Sequence, residues 1–129
     1  MLTDKQLHDM QKRLKDRFYE LRNEIQHELL ESDEKTHIEL AGKVHDLEEE
    51  SVANLLVDLQ LASIDRHIEE IRDIDAALIR IAERSYGLCS DCESEIDMQR
   101  LLAYPTAKRC QPCQTQYEKT HIQPGRASI

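Results

Sequence analysis

Two pairs of cysteines constrain the fold of this 129-residue chain more than any other feature. Residues 86–114 read YGLCSDCESEIDMQRLLAYPTAKRCQPCQ and contain every cysteine of the sequence, namely Cys89, Cys92, Cys110 and Cys113. Seventeen residues separate the two C-x-x-C pairs, a spacing typical of zinc sites. In each pair a tight turn lets two thiolates face one ion, and two such turns complete a tetrahedron. The spacing therefore predicts one structural Zn²⁺ bound by these four residues.

Disulfides, a redox centre and an iron site are the alternatives to zinc. Disulfides rarely persist in the cytosol, and neither pair lies in the βαβ pattern that surrounds a thioredoxin-like centre. Four thiolates leave no position open for water, so the zinc would be structural and not catalytic. The spacing does not separate zinc from iron, although a four-thiolate site in a small finger favours zinc. A thiol sensor, in which oxidation ejects the metal, also stays open.

Two long apolar stripes predict an antiparallel helical hairpin. The first has the gaps of one helix face from Thr3 to about Leu30, and the second approaches a heptad seam. Glycine is the usual residue just beyond a helix C-terminus, so Gly87 ends a second helix predicted over about 46–86. Neither stripe can face water along its length, so each is expected to pack on the other. The stripes are Leu7, Met10, Leu14, Phe18, Leu21, Ile25 and Leu29, then Val57, Leu61, Ile64, Ile68, Ile71, Ile74, Leu78 and Ile81.

The chain is thus predicted to be mainly α-helical, in three parts. Residues 1–85 form the hairpin, with an acidic tip near 31–51. Residues 86–121 form the four-cysteine zinc-finger module, with short first strands and a short terminal helix. Residues 122–129 are expected to fray. With 33% charged and only 4% aromatic residues, the composition excludes a broad globular core and suits a narrow seam between helices.

Two local signals fall in the predicted tip. Ser32 is expected to cap a helical turn that runs to Gly42. Asp46 and Glu49 have the spacing of a capping box for the second helix.

The net charge of −9 is unevenly distributed. Residues 83–129 are neutral overall, whereas residues 28–50 hold nine acids against two lysines. An acidic tip on a helical rod suits insertion into a basic cavity or an approach to a bound cation. The alternative is that these acids lie in a solvated turn at a helix N-terminus. Direct nucleic-acid binding is disfavoured, because phosphate contact needs clustered basic residues. The bases of the finger are expected to offset the charge of the thiolates, and these are Arg100, Lys108, Arg109 and Lys119.

No apolar leader or membrane span is visible, so the protein is expected to be cytoplasmic. It is also expected not to be an enzyme, because the histidines are scattered and no phosphate-binding glycine pattern exists. A second metal between His37 and His45 is conceivable, but solvated side chains are favoured. His121 is an alternative metal ligand, but four cysteines already fill the site.

The cysteine segment resembles the DksA/TraR family of bacterial transcription regulators. That pattern runs Y-G-x-C-x-x-C, then I, then R-L-x-A-x-P-x-A-x-x-C-x-x-C-Q. Glu93 departs from it, since a glycine is common after the second cysteine, and the departure bears on a turn. The matching residues are Tyr86, Gly87, Cys89, Cys92, Ile96, Arg100, Leu101, Ala103, Pro105, Ala107, Cys110, Cys113 and Gln114.

The resemblance implies a zinc-binding regulator that binds RNA polymerase and places its hairpin tip in the secondary channel. It also implies ppGpp as a further ligand at the polymerase interface. The family's tip motif, Asp-x-x-Asp-x-Ala, is not carried over, because residues 43–48 read KVHDLE and only Asp46 matches. Asp46, Glu48 and Glu49 are the candidate partner-binding residues. The alternative is a family relative that acts as an interaction or stress-response protein away from the polymerase.

Overall fold

The computed structural model describes residues 2–31, 35–44 and 62–121, and these ranges contain five helices. The prediction of a mainly α-helical chain is confirmed. An isolated antiparallel bridge between Leu88 and Glu95 stands where short strands were predicted. Within these ranges no helix is both long and apolar enough to cross a membrane. The helices are α1 (Asp4–Glu31), α2 (Lys35–Val44), α3 (Ala62–Ala82), α4 (Met98–Ala103) and α5 (Gln111–Thr120).

Helix α1 begins with a reciprocal capping box that the sequence analysis missed. The Thr3 hydroxyl accepts the Gln6 N–H at 3.1 Å, and the Gln6 amide oxygen accepts the Thr3 N–H at 2.9 Å. Two backbone donors that a helix start leaves unpaired are thereby satisfied. Asp4 adds a negative charge in the first turn, which the helix dipole favours.

Helices α1 and α3 pack as the predicted antiparallel hairpin. Their direction follows from the cross-helix pairs: Arg17 meets Glu70, whereas the later Glu24 meets the earlier His67. Most of the described part of each stripe is buried, as the periodicity predicts, and Ala77 joins the seam. Leu7, Leu78 and Ile81 are half-buried and pack against it. The buried residues of these two helices are Met10, Leu14, Phe18, Leu21, Ile25, Leu29, Ile64, Ile68, Ile71, Ile74 and Ala77.

Helix α2 folds back along the C-terminal half of α1. Ala41 and Val44 are fully buried, and the Gln26 amide of α1 donates to the Ala41 carbonyl at 3.2 Å. The predicted helical turn is present as α2, but it runs through Gly42 and ends at Val44. Ser32, the capping box of Asp46 and Glu49, and the first two residues of the second stripe, Val57 and Leu61, lie outside the described residues.

Helix α3 ends at Ala82, four residues before the predicted position. Arg84 takes the left-handed conformation at this terminus, with φ of +64°, and the N–H groups of Ser85 and Tyr86 donate to the Arg80 carbonyl. The predicted terminus at Gly87 was therefore wrong. Gly87 has φ of +88°, a conformation that favours glycine, and a Cβ added there would lie 2.9 Å from the Leu2 Cδ1.

The finger is fixed to the base of the hairpin through its own backbone. Three carbonyls of residues 102–106 accept hydrogen bonds from hairpin side chains or from the residues just after α3. These bonds are Arg13 to Leu102 at 2.8 Å, Tyr86 to Pro105 at 2.7 Å, and Arg80 to Thr106 at 3.3 Å.

Candidate metal centre

The first cysteine pair lies on a tight turn that leaves the hairpin. The Cys89 N–H donates to the Ser94 carbonyl at 2.8 Å, and the Glu93 N–H donates to the Cys89 carbonyl at 2.9 Å. Glu93 has φ of +63°, so the residue that departs from the family pattern does occupy a turn position that favours glycine. The Cys92 N–H points at the Cys89 sulfur, 3.5 Å away. The turn thus directs two sulfurs to one side.

The second pair is placed by the start of α5. Cys110 directly precedes the helix, Cys113 lies in its first turn, and Pro112 supplies the fixed φ that suits a helix start. The Gln114 N–H donates to the Cys110 carbonyl at 2.9 Å and closes this turn. The short terminal helix predicted for the finger is thus present, and it begins at Gln111, before Cys113. Its unpaired N–H groups favour thiolates nearby.

The four sulfurs lie within 4.8 Å of one another. The Cys92 and Cys110 sulfurs are 3.7 Å apart, and a tetrahedron with Zn–S bonds of about 2.3 Å has edges of about 3.8 Å. Cys89 is buried, while Cys92 is exposed. This arrangement suits a closed structural site at the edge of a small module, with no ligand position left for substrate.

The electrostatics of the four thiols require a cation. Burial would raise the pKa of Cys89, but N–H groups of Cys110, Cys92 and Asp91 donate to its sulfur and lower that pKa to about 6. The Ser94 side chain and N–H lower the pKa of Cys92. The pKa of Cys113 is strongly raised, because Cys110 and the other sulfurs crowd it. All four thiols can ionise together only beside a positive ion, and Zn²⁺ supplies that charge.

Other candidate residues lie away from this cluster. His121 stacks on Tyr117 with ring centroids 4.0 Å apart and is not among the four clustered ligands. In the described ranges those cysteines are the one group that could hold a metal, and His37 does not join such a group. The partner-binding candidates Asp46, Glu48 and Glu49, like His45, lie outside the described residues.

Two basic residues of the finger, Arg100 and Arg109, have specific partners. Arg109 bonds to Asp91, and Arg100 donates to the Arg109 carbonyl at 3.0 Å and to Gln111 at 2.7 Å. The expectation that these cations offset the thiolate charge stays a prediction. Neither the Asp91–Arg109 pair nor the three bonds from Arg13, Arg80 and Tyr86 to residues 102–106 was predicted. Both join positions distant in sequence, and no periodicity or spacing signals such a bond.

A two-helix rod with a four-thiolate module at its base defines a small metal-stabilised helical hairpin protein. Residues 84–119 match the prokaryotic DksA/TraR C4-type zinc finger. The resemblance to the DksA/TraR family is confirmed over this segment, and so is the prediction of one structural zinc ion. The assignment of Cys89, Cys92, Cys110 and Cys113 as its ligands stays a prediction, with which the sulfur geometry agrees.

Curated relatives match less than half of the chain. The RNA polymerase-binding transcription factor DksA of Buchnera aphidicola (subsp. Acyrthosiphon pisum) is 40% identical over 57 residues, and the same factor of Escherichia coli is 37% identical over 57 residues. Each match covers 44% of this chain, but only 38% of the relative. The similarity therefore concerns well under half of those proteins.

Two solved structures share the fold across nearly the whole chain. The RNA polymerase binding protein and transcriptional regulator Dks of Chlamydia trachomatis has a TM-score of 0.57 and 24% identity, covering 95% of this chain and 99% of its own. The transcription factor DksA2 of Pseudomonas aeruginosa has a TM-score of 0.63 and 24% identity, covering 92% and 88%. At this identity the likeness concerns the fold alone.

Proposed function

We propose that this protein is a non-enzymatic, zinc-containing transcription regulator that binds RNA polymerase and reaches its secondary channel with the tip of the hairpin. The observation that carries this proposal is the DksA/TraR finger at the base of an antiparallel hairpin. Relatives that share the finger are named RNA polymerase-binding transcription factors. The zinc would hold the finger folded and would take no part in a reaction.

The shape of the described part supports insertion into a channel. Helix α1 has 28 residues and is about 42 Å long at 1.5 Å per residue. Its seam with α3 is apolar, so the shaft is stiffened by packing along its length. The bonds from Arg13 of α1 and Arg80 of α3 to the finger fix the shaft relative to its base. A rod that is stiff and anchored can present its distal end at a fixed distance.

Charge supports a cationic target for that end. The nine acids of residues 28–50, against two lysines, would be attracted to a basic cavity or to a bound divalent cation. We assign the contact to Asp46, Glu48 and Glu49. The attraction between exposed charges weakens with salt, so the affinity is expected to fall as ionic strength rises.

A specific observation favours a second candidate function. Lys43 and Glu48 stand where the family's tip motif has an aspartate and an alanine. A chain with this tip and an intact finger would suit an interaction or stress-response protein that has another partner. The two candidates differ in whether the hairpin binds polymerase at all.

Competitive binding to core RNA polymerase separates these functions. The zinc-loaded protein is titrated against polymerase with a known secondary-channel factor as competitor, with and without ppGpp. Competition at micromolar concentration or below is expected. Failure to bind, with zinc content and helicity intact, would overturn the proposal and leave the second candidate.

A pair of charge-reversal variants tests the assignment of the tip. Reversal of Asp46, Glu48 and Glu49 to lysine is expected to abolish competition and any effect on transcription. The matched control reverses three exposed acids on the shaft, Asp9, Asp65 and Glu69, and should retain most of the binding. Equal loss in both variants would show that net charge, rather than the tip, determines the affinity.

A further inference from the structure

Two bonds join the cysteine turns without involving sulfur. The Ser90 N–H donates to the Lys108 carbonyl at 2.8 Å. The Arg109 Nε lies 2.9 Å from the Asp91 Oδ2. Ser90 and Asp91 are the two residues between the first pair of cysteines, and Arg109 directly precedes the second pair. The turns are therefore linked right beside their metal ligands.

The Arg109 side chain is held from a second direction by α5. Its guanidinium lies 3.8 Å from the centre of the Tyr117 ring, within the range of a cation–π contact. The same tyrosine ring stacks on His121, at an interplanar angle of 13°. Only 12% of the Arg109 side chain is exposed. The Asp91 side chain is 43% exposed, so the pair is desolvated at its arginine end, where Tyr117 also holds it.

Zinc leaves a four-cysteine site by losing its sulfur ligands in succession. While one Zn–S bond is open, the freed turn either closes again or moves away. A link between the turns keeps the freed sulfur at high local concentration and favours closure. The Asp91–Arg109 pair, packed on Tyr117, is positioned to supply that link, because it joins residues adjacent to both cysteine pairs.

We propose that Asp91, Arg109 and Tyr117 form a clasp that retards zinc loss from the finger. Arg109 is its central positioning residue, since it contacts both of the others. The clasp does not coordinate the metal and does not replace it. The proposal depends on the zinc site and not on polymerase binding, so the two can fail separately.

The rate of zinc release from the full-length, zinc-loaded protein tests the clasp. Release into excess chromophoric chelator is followed at neutral pH. Arg109→Gln is expected to release zinc about 5- to 30-fold faster, the range of one to two kcal/mol. The release rate of Arg109→Lys should lie between those of wild type and Arg109→Gln, because lysine keeps the charge but lacks the planar guanidinium. Initial zinc content and helicity are measured for every variant.

Matched variants separate the clasp from a general effect of charge. Lys119→Gln removes one positive charge from an exposed position of α5 and is expected to stay within about twofold of wild type, as exposed charges contribute little. Asp91→Asn should accelerate release, and adding it to Arg109→Gln should give little further effect, because the pair acts as a unit.

Three results would overturn the proposal. The first is that Arg109→Gln releases zinc at the wild-type rate. The second is that Lys119→Gln accelerates release as much as Arg109→Gln does. The third is that the effects of Asp91→Asn and Arg109→Gln on the rate are fully independent. Should Arg109→Gln fail to load zinc, Asp91→Asn and Tyr117→Leu carry the same test. Wild-type release from both of these variants would also refute the clasp.

Discussion

The hairpin and the finger are stabilised in contrasting ways. The hairpin distributes its stability over two long stripes of buried aliphatic side chains, so removing one side chain weakens it by a limited amount. The finger has few buried residues and concentrates its stability in four sulfurs and a handful of polar bonds. The comparison teaches that one chain can combine a region that loses stability gradually with a region that depends on a single ion.

Zinc removal is expected to have the largest effect on this contrast. A structural zinc contributes on the order of 10–16 kcal/mol of coupled folding energy, so chelation or Cys89→Ser should unfold the finger. The hairpin should persist, because most of the buried cluster that it shares with Cys89 lies in α1 and α3. Nuclear magnetic resonance of the finger and circular dichroism at 222 nm measure the two parts. Simultaneous loss of α1 and α3 would contradict this independence.

Truncation in the seam is expected to give the next largest effect. Phe18 is 1% exposed, and Phe18→Ala should lower the free energy of unfolding by about 3–5 kcal/mol. Urea denaturation followed at 222 nm measures the loss, while zinc content should not change. Its neighbour Tyr19 is 43% exposed, so Tyr19→Ala should cost less than about 1 kcal/mol. Equal losses of unfolding free energy in the two variants would show that Phe18 does not lie in the buried seam.

Two glycine substitutions should have effects of opposite sign. Gly87→Ala forces a Cβ to within 2.9 Å of the Leu2 Cδ1 at a φ of +88°, and should destabilise the base of the finger by about 2 kcal/mol. Gly42 lies in α2, and an added Cβ would meet nothing within 4 Å. Gly42→Ala should therefore stabilise α2 by about 0.5–1 kcal/mol. Thermal denaturation of the zinc-loaded proteins checks both signs.

Tyr86 should make the junction sensitive to alkaline pH. Burial raises the pKa of this phenol from 10.0 to about 12, so the folded state retains its proton where the unfolded state loses it. Stability is then complete below pH 10 and falls as the pH rises toward 12. Tyr86→Phe removes the bond to Pro105, costs about 1 kcal/mol at pH 7, and should lose less stability on alkalinisation.

Denaturant titrations from pH 8 to 12 measure this difference. Tyr104→Phe is the control, because Tyr104 is 63% exposed. If the difference in unfolding free energy between wild type and Tyr86→Phe stays constant across this pH range, the phenol of Tyr86 is not buried.

The smallest effect is expected at the turn after the first cysteine pair. Glu93 has φ of +63°, a region that costs a residue with a Cβ about 1–2 kcal/mol. Glycine avoids this cost but has more freedom when unfolded, so Glu93→Gly should stabilise the finger by on the order of 0.5 kcal/mol. Thermal denaturation measures the gain, and a destabilised variant would show that the Glu93 side chain contributes to the turn.

The parts predictable from the sequence were those with a fixed period or spacing. The stripe from Met10 to Leu29 and the grouping of Cys89 with Cys110 follow from helix geometry and metal-ligand spacing. The end of α3 was missed because Gly87 is a strong terminator signal, whereas the structure uses Arg84. Tertiary pairs such as Asp91 with Arg109 carry no local signal. The family resemblance likewise predicted the finger from many matching residues, whereas at the tip only Asp46 matches the family motif.

The three hydrogen bonds that residues 102–106 accept at the junction of the hairpin and the finger have an evolutionary consequence. Their acceptors are the carbonyls of Leu102, Pro105 and Thr106, and every amino acid has a carbonyl. Mutation can therefore alter the side chains of this segment, such as that of Leu102, which is 48% exposed, while the acceptors stay in place. The finger's outer face can diverge among descendants without redirecting the helices.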